Sequence, residues 1–201
     1  MIDDLDRTLE ELLKRELPGD LISQIAISFA VPDQNFPPSA VKLPAIDLFL
    51  YDIRENRELR RGDWAVERRN DGTTVRLPRP VRVECSYLVT AWPSDASTTP
   101  ALDEHRLLGE VMKALLRHET LPADLLQGSL RGQAPPLPAS TLQPGRLQSL
   151  GEFWQALGGK PKAAFSYSVT IGVEAGEPLE AGPPVLEKVI EIRSKDGEAP
   201  S

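Results

Sequence analysis

Cysteine is almost missing from this chain. Cys85 is the only one among 201 residues, which excludes an internal disulfide framework. It falls on the apolar side of an alternating segment and reads as a small core residue rather than a nucleophile. Histidine is nearly as scarce, with His105 and His118 alone. At about 100° per residue they fall on different faces of one helix, so they do not share a metal. No His-Glu-x-x-His or cysteine-rich run is present either, and no metal or cofactor is expected. No apolar run reaches the roughly 20 residues of a membrane span, so direct membrane insertion is not expected. Positive charge is in deficit, with 23 Lys and Arg against 30 Asp and Glu. A net charge of −7 argues against nucleic acid or an anionic membrane as the main partner. The start, MIDDLDRTLEELLKREL, lacks the basic and apolar regions of a signal peptide, so cytoplasmic assembly is expected.

Aromatics are few at 5%, while proline is frequent at 19 residues. Long ordered loops around a modest core are therefore expected. Ile2 to Leu17 has leucines at three- and four-residue spacing, acids in its first turn and Pro18-Gly19 after its end, which predicts a helix. Ile25 to Val31 alternates as a strand. Pro32 to Ala45 holds four prolines and reads as an extended loop. Ile46 to Ile53 is apolar on both faces, as in a strand covered on both sides. Trp64–Arg69 and Thr73–Leu77 flank Asn70-Asp71-Gly72 and predict a solvent-facing hairpin. Val81 to Trp92 alternates over its whole length. Thr99-Pro100 then starts a helix, with Leu108, Val111, Met112, Leu115 and Leu116 as its expected core stripe. Leu121 to Leu130 is expected to have little structure, and 132–145 reads as a Pro-rich linker. A short helix at 147–157 precedes a regular strand over 165–173. Val185 to Arg193 is expected as a last edge strand. A main domain over 1–175 and a C-terminal extension over 176–201 follow from this.

The residues form no catalytic constellation. Ser129 lacks the Gly-x-Ser-x-Gly spacing of a nucleophile turn. Gly158-Gly159-Lys160 follows a helix instead of preceding one, so it suits a helix C-cap and not a phosphate loop. Asp3-Asp4 and Asp103-Glu104 sit in first turns, where the helix dipole favours them. Gly109 interrupts a strong helix at a cost of about 1 kcal/mol relative to alanine, and close packing against the sheet would explain it. Arg54, Arg57, Arg60, Arg61, Arg68 and Arg69 make up the one concentration of positive charge. It suits either a solvated rim or a contact with an acidic neighbour.

Several stretches together carry a family pattern. They are the N-terminal Leu-rich helix, the strand Ile46-Asp47-Leu48-Phe49-Leu50-Tyr51-Asp52-Ile53 leading to a charged hairpin, and the strand Val83 to Trp92. Then come Glu104-His105-Arg106-Leu107-Leu108-Gly109, the helix with Phe153-Trp154, and Phe165-Ser166-Tyr167-Ser168-Val169-Thr170. Over roughly residues 1–175 the chain resembles the cap, or tail-terminator, proteins of phage-tail-like contractile injection systems. The resemblance implies an α/β (α+β) fold with a mixed, mainly antiparallel sheet, two main helices, a projecting hairpin and Pro-rich loops. It implies a structural protein, not an enzyme. The expected homo-oligomer is a ring of six copies that ends inner-tube growth and anchors the last sheath layer. Its partners would be the inner-tube and sheath proteins of a particle either released or held at the cell. A baseplate or assembly adaptor of the same machine is the second reading, and an uncharacterised enzyme the remote third. Candidate interface residues are Phe36 in the Pro-rich loop, Arg60, Arg61, Trp64, Arg68 and Arg69 around the hairpin, and Val189 and Ile190 in the edge strand.

Overall fold

The computed structural model describes residues 1–60, 65–68, 74–134, 136–143, 149–177 and 179–180. Two compact units emerge: one of residues 1–60 and 81–173, the other of 61–80 and 174–201. The hairpin region thus groups with the residues after 173, a division that sequence pattern alone did not suggest.

In the first unit, helix α1 (Ile2–Glu16) carries Asp3 and Asp4 in its first turn and Lys14 and Arg15 in its last. Each charge opposes the dipole end it sits on. A four-residue helix, α2 (Gly19–Ile22), follows. Strand β1 is only Ala26–Ser28, shorter than the alternation over 25–31 suggested. The Ser28 hydroxyl accepts the Ala30 N–H at 3.1 Å, which turns the chain out of the sheet before Pro32. After the Pro-rich loop, β2 (Ala45–Glu55) pairs parallel with β1 and antiparallel with β5 (Val81–Trp92). The loop contains cis peptides at Phe36-Pro37 and Leu43-Pro44.

Strand β5 pairs in turn with β7 (Ala164–Val173), and β7 with β6 (Ala139–Thr141). The sheet order is β1-β2-β5-β7-β6, antiparallel except for β1 with β2. The mixed, mainly antiparallel sheet matches expectation. Its fifth strand does not, because β6 lies inside the expected linker 132–145. Leu137 there is fully buried, and a bridge between Thr120 and Pro138 covers the start of β6. Residues 136–143 are part of the domain and do not act as a spacer.

One sheet face is apolar. Leu48, Cys85, Tyr87, Val89, Val169 and Ile171 pack there with the leucines of α1 and with α3 (Pro100–Leu116). The buried stripe of α3 is Leu107, Val111, Ala114 and Leu115, while Leu116 is exposed. Val111 and Leu115 are buried as expected, Leu108 and Met112 are partly buried against the same core, and the centre of the stripe shifts toward Leu107 and Ala114. Adjacent leucines at 107 and 108 make the two phases nearly equivalent by pattern, and packing selects one. Thr99 is the N-cap but its side chain makes no cap bond; just before the helix the Ser97 hydroxyl accepts the Thr99 N–H at 3.0 Å and bonds Asp103 at 2.5 Å. Among the described residues a Cβ at Gly109 would meet open space. The expectation of close backbone approach at this glycine is therefore overturned. Cys85 is wholly buried, and burial pushes its thiol up to about 11, so it stays protonated.

The segment after α3 is also more structured than expected. Leu121, Leu126 and Leu130 are buried, and a 3-10 turn spans Gly128–Leu130. The Gln127 N–H donates to Thr8 Oγ1 at 3.0 Å, and the Ser129 N–H and hydroxyl donate to Asp4 Oδ2 at 3.0 and 2.8 Å. Gly128 has φ +49°, and a Cβ would sit 2.1 Å from Asp4 Oδ1. Only glycine fits under that carboxylate.

In the second unit, β3 (Ala65–Arg68) and β4 (Thr74–Leu77) pair antiparallel, and β8 (Leu179–Glu180) pairs with β4. The antiparallel pair at the expected hairpin is therefore present. The turn 70–72 and the expected edge strand 185–193 lie outside the described residues.

Candidate interface cleft

Four parts of the first unit converge at the end of β5. The strand delivers Trp92, and the Pro-rich loop delivers Asp33, Gln34 and Phe36. The first turns of α3 deliver Glu104 and His105, and the lead into β7 delivers Lys160 and Lys162. Together they line an open cavity of about 630 Å³.

Each part is held by local chemistry. Helix α4 (Leu150–Ala156) starts at Ser149, whose hydroxyl accepts the Glu152 N–H at 3.3 Å. It ends with Gly158 at φ +66°. The Gly158 N–H reaches the Gln155 carbonyl and the Gly159 N–H reaches the Trp154 carbonyl, both at 3.1 Å. This paired closure is the Schellman C-cap, as expected for Gly158-Gly159. It turns the chain so that Lys160 and Lys162 enter the cleft.

Trp92 is the floor. Its indole N–H donates to Thr90 Oγ1 at 3.0 Å, and Phe36 lies against it with ring centroids 4.2 Å apart. Lys162 Nζ stands 4.6 Å from the Trp92 ring centroid and pairs with the Glu104 carboxylate. Both charged side chains are only 15% exposed, so the pair is screened less than a surface ion pair. A cation over an indole face adds about 1 kcal/mol or more once partly desolvated. The arrangement presents a flat aromatic surface with fixed charge beside it. That suits anchoring a protein side chain.

The described residues contain no group of three or more His, Cys, Asp or Glu able to hold a metal. The Ser129 hydroxyl donates to Asp4, whose carboxyl, held at about 2, is too weak a base to activate it, and no histidine is among its partners in the described residues. His118 Nε2 lies 3.1 Å from Glu16 Oε1, away from His105 in the cleft.

The interface residues proposed from sequence fall in different places. Phe36 is 9% exposed and forms one wall of the cleft. Arg60 is exposed, with Nη1 3.5 Å from Glu55. Arg57 and Arg54 likewise face Glu55 and Asp52, so this part of the basic set is partly neutralised by its own strand. Arg68 is in β3. Arg61, Trp64, Arg69, Val189 and Ile190 lie outside the described residues. Trp92 and Lys162 were missed. The available signals were a tryptophan at a strand end before Pro93 and a lysine just past a helix cap.

Over residues 4–187 the chain matches the model of one family, the Pvc16 N-terminal domain. The chain belongs to that family. Two solved structures are similar to it. One is the sheath/tube terminator of PVC, an extracellular contractile injection system, in its extended state. It is 26% identical with a TM-score of 0.66, covering 97% of this chain and 65% of that one. The other is the tube-terminating cap of the anti-feeding prophage, 25% identical with a TM-score of 0.65, covering 96% of this chain and 61% of that one. The chain thus spans somewhat under two thirds of the length of these terminators. No curated protein matches it.

Proposed function

We propose that this chain is the cap of a contractile injection particle. In this reading it closes into a ring, of six copies, at the end of the particle. There it ends growth of the inner tube and anchors the last sheath layer. The likeness along 97% of the chain to a sheath/tube terminator carries the reading. The physics of the fold supports it. Termination needs complementary surfaces and a closing rotation, not reactive groups. The cleft at Trp92, with its buried ion pair and stacked Phe36, has the make-up of an anchor pocket at such a surface. Assembly takes place in the cytoplasm, before the particle is released or anchored, and the protein works without catalysis.

Deleting the gene from a strain that makes the particle tests this directly. Tubes of uncontrolled length, or unstable particles without an end ring, are expected by electron microscopy, with uniform length restored by complementation. Complete particles of uniform length in the deletion strain would rule the cap role out.

A further inference from the structure

The sheet face opposite α1 and α3 contains one acid with no counterpart. Asp47 on β2 is 0% exposed, and neither of its carboxylate oxygens has a hydrogen-bond partner. Its register partners are Ser28 on β1 and Thr90 on β5. Both connect to the cleft. The Ser28 hydroxyl holds the Ala30 N–H at the root of the loop that delivers Phe36. Thr90 Oγ1 holds the Trp92 indole on which Phe36 stacks. The carboxyl therefore sits beneath both halves of the aromatic platform. An ionised carboxylate in such a place is costly, because no well-formed hydrogen bond replaces the water it has lost. A neutral carboxyl is tolerated there.

We propose that Asp47 is a pH-operated latch: its neutral form lets β1 and residues 28–36 close on the sheet, and its ionisation loosens that closure and the Phe36–Trp92 stack. The proposal does not depend on the cap reading. Burial raises the Asp47 pKa to about 7; the Ser28 hydroxyl and the Ala30 N–H, close by but outside good hydrogen-bond geometry, lower it by less. Among the described residues, burial, Ser28 and Ala30 set its pKa. The cleft's own charges, Asp33, Glu104, His105, Lys160 and Lys162, are not among its influences. The sign follows from linkage. A carboxyl whose folded pKa is raised binds its proton more tightly in the closed form than in the open one. Closure is therefore favoured least above about pH 7 and regains strength as pH falls toward about 4.

Amide hydrogen exchange of the full chain, wild type against Asp47→Asn, reads this out, since the ratio at each pH cancels intrinsic exchange. Between about pH 5 and about pH 8, wild-type protection of residues 28–36 is expected to fall relative to Asp47→Asn by roughly tenfold or more. The β5 and β7 amides should change much less. An unchanged ratio, or a loss spread equally over β5 and β7, would overturn the latch. A carboxyl carbon NMR titration of wild type tests it without any variant: a midpoint near 7 supports the proposal, and a midpoint below about 5 sinks it.

Discussion

Two loops lie against the first unit, and each is tied to an aspartate in opposite ways. The segment after α3 is held by Asp4, which accepts two hydrogen bonds from Ser129. Those bonds, the backbone one foremost, and the N-terminal ammonium hold its carboxyl at about 2. The Pro-rich loop is rooted over Asp47, whose oxygens no donor reaches in good hydrogen-bond geometry, and burial lifts it to about 7. The residue type is the same, so the difference comes from partners and water alone. A carboxylate that accepts donors fixes a loop at any pH above its own titration. One without donors makes its loop conditional.

The comparison can be broken at either loop. The larger effect is expected at the Pro-rich one. Phe36→Ala removes the ring stacked on Trp92, and a loss of about 2–3 kcal/mol is expected by chemical denaturation. That is less than for a fully enclosed aromatic, because the open cleft admits water. A loss under about 0.5 kcal/mol would mean that the loop is held by its prolines and not by the stack. Asp4→Asn should act locally and more weakly. A folded pKa below the ordinary carboxylate value gives stabilisation that is fully present above about pH 4 and lost as pH falls through about 2. At neutral pH the variant should therefore lose exchange protection at the Ser129 amide while β5 stays protected. In wild type the same loss should appear only on strong acidification. Equal protection at Ser129 in both proteins near neutrality would show that Asp4 is not the tie.

Much of this fold was legible because period and burial agree. The leucines of α1, the full length of β5 and the alternation of β7 all appear as their patterns predict. The loops were less so. Leu121, Leu126, Leu130 and Leu137 are buried at irregular spacing, which no period detects. The backbone around Leu126 and Leu130 is tied down by Asp4 and Thr8, more than a hundred residues earlier in the chain. The cleft was half visible. Glu104 and His105 stood out within the family pattern, and Phe36 as an aromatic among prolines. Lys162 meets Trp92 only because the Gly158-Gly159 cap turns the chain there. Asp47 did leave a trace, as the acid nearest the start of a strand apolar on both faces, where Asp52 has Arg54 beside it and Asp47 has no such neighbour in sequence. Its isolation emerges only once Ser28 and Thr90 are seen as its neighbours.

The central claim is that this chain caps a particle, and imaging the particle end by cryo-electron microscopy tests it most directly. The account predicts a single closed ring of this subunit on the last tube and sheath layer, with the Trp92 cleft against a neighbouring chain. A particle end built from other proteins, with this chain at the baseplate or absent, would contradict it.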